Sequence, residues 1–110
     1  MSTLLDRPNV SLAEQPDGLV VSGDLSMNAA ADVAAAGVSW LRTTRATSVQ
    51  FDFSGVDGAS SAALSVMFEW LRASQARQLP VSAIVLSPPL QRLATLAELE
   101  PLIAQHSPVQ

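Results

Sequence analysis

Apolar and polar positions alternate most regularly between Ser48 and Val56. Val49, Phe51 and Phe53 fall on one side and Gln50, Asp52 and Ser54 on the other, the period of a strand with one buried face. After a loop at Gly55–Ala59 the period changes. Leu64, Met67, Phe68 and Leu71 recur at i, i+3, i+4 and i+7, which predicts a helix opened by Ser60 or Ser61 and running to about Gln78. Leu79-Pro80 stops it, and Val81, Ala83, Ile84, Val85 and Leu86 form a buried strand. Ser87-Pro88-Pro89 then starts a third helix, with proline in its first turn and Leu90, Leu93, Ala94, Leu96 and Ala97 as its apolar face. Leu99–Ile103 reads as a further short helix or an edge strand.

The first half of the chain is patterned more weakly. Residues 1–8 read as a loose lead-in. Val10 and Leu12 alternate with Ser11 and Ala13, and Leu19-Val20-Val21 is a short β-branched run. Between them lies Gln15-Pro16-Asp17-Gly18, a turn in which proline presets φ and glycine can supply a positive one. The two strands are expected to pair as an antiparallel hairpin. Gly23-Asp24-Leu25-Ser26 breaks the second strand, and Ser26 or Asn28 can cap a helix over about Ala29–Arg42. Val33, Ala36, Trp40 and Leu41 give that helix an apolar side, with Gly37 as a mild weak point. The order is ββαβαβα, which implies parallel pairing through helical crossovers plus one antiparallel hairpin.

Composition narrows the classes. The chain has 110 residues, 48% of them hydrophobic, which suits one compact domain and rules out a disordered chain. Without cysteine it has no disulfide, thiolate metal site or cysteine nucleophile. The net charge is −4 and the six basic residues, all arginine, form no stripe, so neither nucleic acid nor an anionic membrane surface is expected as a partner. The N-terminal apolar run is too short for a secretory signal, and no apolar stretch approaches the about 18 residues of a membrane span. A cytoplasmic location is expected.

Candidate chemistry is sparse. The single histidine, His106, lies near the C-terminus, where a fraying tail gives a base no fixed position. No residues have zinc spacing, and neither a phosphate-cradling loop nor a nucleophile elbow is present. Asp52 and Asp57 flank a strand end, but Asp52 belongs to the polar alternation and Asp57-Gly58 to a turn. No enzymatic activity, cofactor or metal is expected. Two features remain. The Ser60-Ser61 pair sits where a strand, a loop and a helix N-terminus meet, over free N–H groups and the positive end of the helix dipole. Trp40 and Trp70 are either core residues or part of a docking patch.

These segments, taken in order, resemble the STAS family (sulfate transporter and anti-sigma-factor antagonist domains) over about residues 8–103, with 1–7 and 104–110 as loose termini. Val21-Ser22-Gly23-Asp24-Leu25 is similar to the family's strand followed by Gly-Glu/Asp-Leu. Val49-Gln50-Phe51-Asp52-Phe53-Ser54-Gly55-Val56 is similar to its central strand, and Ser60-Ser61-Ala62-Ala63-Leu64 to its Asp-Ser/Thr-Ser/Ala-Gly-Leu. Val81–Leu86 with Pro88-Pro89-Leu90-Gln91-Arg92-Leu93 resembles the later strand and helix. The resemblance implies an α/β, STAS-like (SpoIIAA-like) fold: a small mixed sheet with helices mainly on one face.

The resemblance also implies a role in protein binding. Anchoring on Leu64 places Ala63 at the family glycine, Ala62 at the antagonist phosphoserine, and Ser61 at the functional hydroxyl of MlaB-type proteins. Those proteins are subunits that bind the ATPase of an ABC transporter moving phospholipids to keep the outer membrane asymmetric. Ala63-Leu64-Ser65-Val66-Met67-Phe68-Glu69-Trp70-Leu71 is similar to the MlaB-type helix. Ser60 stands in place of the family Asp and Ala63 in place of its Gly, which argues against a phosphorylation cycle and against nucleotide binding. The expected partner is thus an ABC transporter ATPase at the cytoplasmic face of the inner membrane, met by Ser61 with Ser60, Met27 and Asn28 nearby. The alternative is an anti-sigma-factor antagonist controlled by serine phosphorylation. A shift of one residue makes Ser61 the phosphosite but loses the leucine match.

Overall fold

The computed structural model describes residues 2–58 and 60–104, without the side chains of Met27, Glu100 and Ala104. The elements are β1 (Ser2–Asp6), β2 (Val10–Gln15), β3 (Gly18–Gly23), α1 (Met27–Thr43), β4 (Val49–Val56), α2 (Ser61–Ala76), β5 (Val81–Leu86), α3 (Pro88–Leu96) and α4 (Glu100–Ala104). The strands form one sheet in the order β1-β2-β3-β4-β5. β1, β2 and β3 pair antiparallel, and β3, β4 and β5 pair parallel, as the two helical crossovers require. The fold is the mixed α/β sheet expected.

Two expectations change. The lead-in is not loose: Ser2–Asp6 pairs with β2 as an edge strand. A register shift between Thr3 and Leu5 breaks its alternation and leaves the neighbouring Leu4 and Leu5 both half-buried, so no period of two was visible. Gly18 serves the turn differently. It begins β3 opposite Gln15 without a positive φ, and a Cβ there would run into the Gln50 carbonyl of β4. The residues at 99–103 resolve to the helical alternative as α4.

The core lies between one face of the sheet and the helices. Leu12, Leu19, Val21, Val49, Phe51 and Phe53 point to it from the strands, and Val33, Leu41, Met67, Trp70 and Leu90 from the helices; all are fully buried. Trp70 is at its centre. Its ring meets Phe51 edge-on at 5.4 Å and Phe53 at 5.3 Å, and its Nε1–H donates to the Ala34 carbonyl at 3.2 Å. Gly37 of α1 rests on this indole, and a Cβ at that position would overlap it. The glycine that looked like a weak point in a helix is what lets α1 approach α2. Arg77, just past α2, fastens the other end, its Nη1 donating to the carbonyls of Leu41 at 2.5 Å and Thr44 at 3.0 Å. The opposite sheet face carries Ser11, Ser22, Gln50, Asp52 and Ser54, with Ser11 and Ser22 hydroxyls 3.1 Å apart, in keeping with their polarity.

Candidate functional site

β3 and β4 end side by side: Gly23 pairs with Val56, and the Asp57 N–H donates to the Gly23 carbonyl at 2.8 Å. α1 begins four residues after β3 and α2 five residues after β4, so both helix N-termini rise from the same end of the sheet. This is the parallel-strand geometry in which loops at the carboxyl ends of strands collect exposed groups.

The two serines at the head of α2 have separate duties. Ser60 is the N-cap, extended at φ −112° and ψ 130°, and its Oγ accepts the Ala62 N–H at 3.1 Å. Its carbonyl accepts the Ala63 N–H at 3.1 Å. Ser61 is the first helical residue. Its side chain is exposed and makes no hydrogen bond among the described residues, while its carbonyl accepts the Ser65 hydroxyl at 3.2 Å. The helix therefore keeps its cap without Ser61, whose hydroxyl is left to solvent. Ala62 and Ala63 turn inward and are buried at 8% and 1% exposure.

The other candidates are less tightly gathered. Asn28 is the second residue of α1 and is exposed. It shares the Ser61 end of the sheet but lines a separate groove of about 300 Å3 with Arg7, Asn9, Asp24 and Asp32, on the β1–β2 side. Met27 opens α1, and its side chain lies outside the described residues. Ser26 holds the N-cap position of α1 with its backbone alone, its carbonyl accepting from Ala29 and Ala30 at 3.1 and 2.9 Å, with no side-chain cap bond. Trp70 belongs to the core, not to a docking patch. Trp40 is half-buried, and its Nε1–H donates to the Glu14 carboxylate, tying α1 to β2.

The two aspartates do not form a pair. Asp52 Oδ1 accepts the Ser54 N–H at 2.8 Å on its own strand, and Asp57 is exposed past the strand end. His106 lies outside the described residues. Among the described residues no group of three acidic or histidine side chains could hold a metal, and no helix is long and apolar enough to cross a membrane.

Sequence reading passed over one feature. Ser61, Ser65, Glu69, Arg72 and Ala76 are all exposed and form a single outward stripe along α2. Their spacing of three and four is written in the sequence, interleaved with the stronger apolar stripe of the same helix.

The family model described as "Mlab, STAS domain" matches residues 9–104. No curated protein sequence is significantly similar to the chain. Among solved structures, the fold is similar to that of the anti-sigma factor antagonist SpoIIAA in its unphosphorylated form, with a TM-score of 0.65 and 16% identity over 84% of this chain and 83% of that one. At that identity the likeness speaks for the fold. The match over most of the length, on a mixed sheet with the helical face just described, shows that the chain belongs to the STAS domain family, whose members are protein-interaction modules.

Proposed function

We propose that this chain is a non-enzymatic interaction module that binds and stabilises or regulates the ATPase of a phospholipid ABC transporter of the Mla type. It would do so at the cytoplasmic face of the inner membrane, reaching the membrane through its partner. The observation that carries this reading is the division between the two serines. A hydroxyl that must meet a partner is poorly placed if it is also the cap, because it is then tied to a backbone N–H. Ser60 takes the cap and Ser61 is exposed and unengaged. The description of the matching family model points the same way.

The test uses Ser61→Asp. An aspartate at the first helical position favours the dipole, so the fold should hold. In a packed interface the same change buries an unpaired charge, which is costly. Ser61→Asp should therefore melt like the parent and fail to co-purify with the ATPase, while Ser61→Ala should keep the fold and weaken the complex. Undiminished co-purification of Ser61→Asp would remove Ser61 from the interface.

The second reading, an anti-sigma-factor antagonist controlled by serine phosphorylation, has one observation in its favour: Ser61 is open to a kinase. A phosphate there would lie at a helix N-terminus, where it is electrostatically tolerated. Against it, the register anchored on Leu64 puts the phosphosite at Ala62, which has no hydroxyl and is buried. Phosphate on Ser61 in protein isolated from cells, together with capture of a kinase-type partner instead of an ATPase, would favour this alternative.

A further inference from the structure

The outward stripe of α2 leads into a second surface feature about 12 Å from Ser61, at 1.5 Å per helical residue. Here the C-terminal halves of α1 and α2 run side by side, held close by Gly37 on Trp70 and by Arg77 on the end of α1. Between them lies an open trough of about 430 Å3 lined by Ala35, Val38, Arg42, Glu69, Arg72, Ala73 and Ala76. Its walls are small and apolar, and its charged groups are two arginines and one glutamate. None of these three side chains makes a hydrogen bond or ion pair among the described residues, where the salt bridge present is Arg7–Asp32. Glu69 stands three residues before Arg72, yet the two are not paired. A chain of net charge −4 thus carries, at this spot, two free guanidiniums beside an alanine-lined trough.

We infer that this trough receives an amphipathic helix of a partner protein, seated by its apolar side and flanked by carboxylates that meet Arg42 and Arg72. The shape argues for a helix, since an open trough between two parallel helices is the groove that ridge-and-groove packing fills, whereas small ligands favour enclosed pockets. The charge argues for acid, since guanidiniums hold carboxylates in a planar two-bond geometry. An anionic bilayer is disfavoured, because the rest of the molecule is acidic and would be repelled from it. The inference does not depend on the ATPase assignment or on Ser61.

The test is an NMR titration of the full ¹⁵N-labelled chain with a model helix of about 18 residues, about 27 Å long. The peptide carries leucine and alanine along one face and glutamate on both flanks. Amide shifts should concentrate at Ala35, Val38, Arg42, Arg72, Ala73 and Ala76, with the Nε signals of Arg42 and Arg72 moving too. The same peptide with lysine in place of glutamate should bind about tenfold more weakly, the scale of a pair of ion contacts. The doubly substituted Arg42→Glu, Arg72→Glu chain should reverse that preference, and Arg42→Gln, Arg72→Gln should abolish it, each checked for an unchanged melt. Shifts centred elsewhere, equal binding of the two peptides, or no shift at all would overturn the inference. So would stronger perturbation of the trough by phosphatidylglycerol vesicles, or its occlusion by a second copy of the chain at NMR concentration.

Discussion

Adjacent serines at the head of α2 look alike in sequence and do different work. The Ser60 hydroxyl satisfies the Ala62 N–H, so Ser60→Ala should lower stability by about 0.5–2 kcal/mol. The exposed Ser61 hydroxyl satisfies nothing within the fold, so Ser61→Ala should stay within about 0.5 kcal/mol of the parent. Paired melting curves check this, and the reverse order would mean the cap lies one residue later. Gly37 is a second case in which the residue's neighbour decides. On an isolated helix Gly→Ala gains about 1 kcal/mol of propensity. Here the new methyl meets an indole wedged against Phe51 and Phe53, which cannot retreat. Overpacking of that kind costs about 1–3 kcal/mol, so Gly37→Ala should be destabilised on balance and should alter Trp fluorescence.

Among the elements, β4 is the one on which the others depend. It lies between β3 and β5, and its Phe51 and Phe53 are fully buried against Trp70 of α2. Truncating Phe51 removes an edge-on aromatic contact and leaves a cavity under two elements at once. Phe51→Ala should cost roughly 3–5 kcal/mol, read as a fall in the denaturation midpoint. A small change would mean the strand register is wrong. The helices owe their placement to specific fastenings: the Trp70 N–H to Ala34, Arg77 to Leu41 and Thr44, and Trp40 to Glu14. These bring α1 and α2 together with both N-termini at one end of the sheet and the Arg42–Arg72 trough along their outer side.

Taken as a single object, the protein has one face of its sheet covered by helices and the other open, where Ser11, Ser22, Gln50 and Asp52 sit beside Val20 and the exposed Val85. Among its exposed features are a free hydroxyl at one helix end and an open trough, and both suit contact with another protein. The charged residues near the site are engaged with their own backbone or stand alone, as Asp52 and Asp57 do. On the reading proposed above, purified protein should turn over neither nucleotides nor model esters. Turnover that disappears with Asp52→Asn or Asp57→Asn would contradict that expectation.

The central strand, the three main helices, the hairpin and the family were legible in the residues, because each rests on local period, turn chemistry or capping. Val49, Phe51 and Phe53 announce a half-buried strand whatever surrounds them, and Leu64, Met67 and Leu71 announce a helix. β1 was not legible, since a bulge erases its alternation and its pairing partner is what makes it a strand. The cap of α2 lay between two serines until backbone geometry assigned it to Ser60, which freed Ser61. Gly37 changed from a weakness to a necessity, and Trp70, which the sequence left as core or docking residue, took the core reading at its centre, once α1, α2 and β4 were in contact. Arg42 and Arg72 are thirty positions apart in the chain, and packing alone set them on one trough. Short-range preferences write themselves into a sequence because they act between near neighbours, whereas contacts between distant residues exist only after the chain has closed on itself.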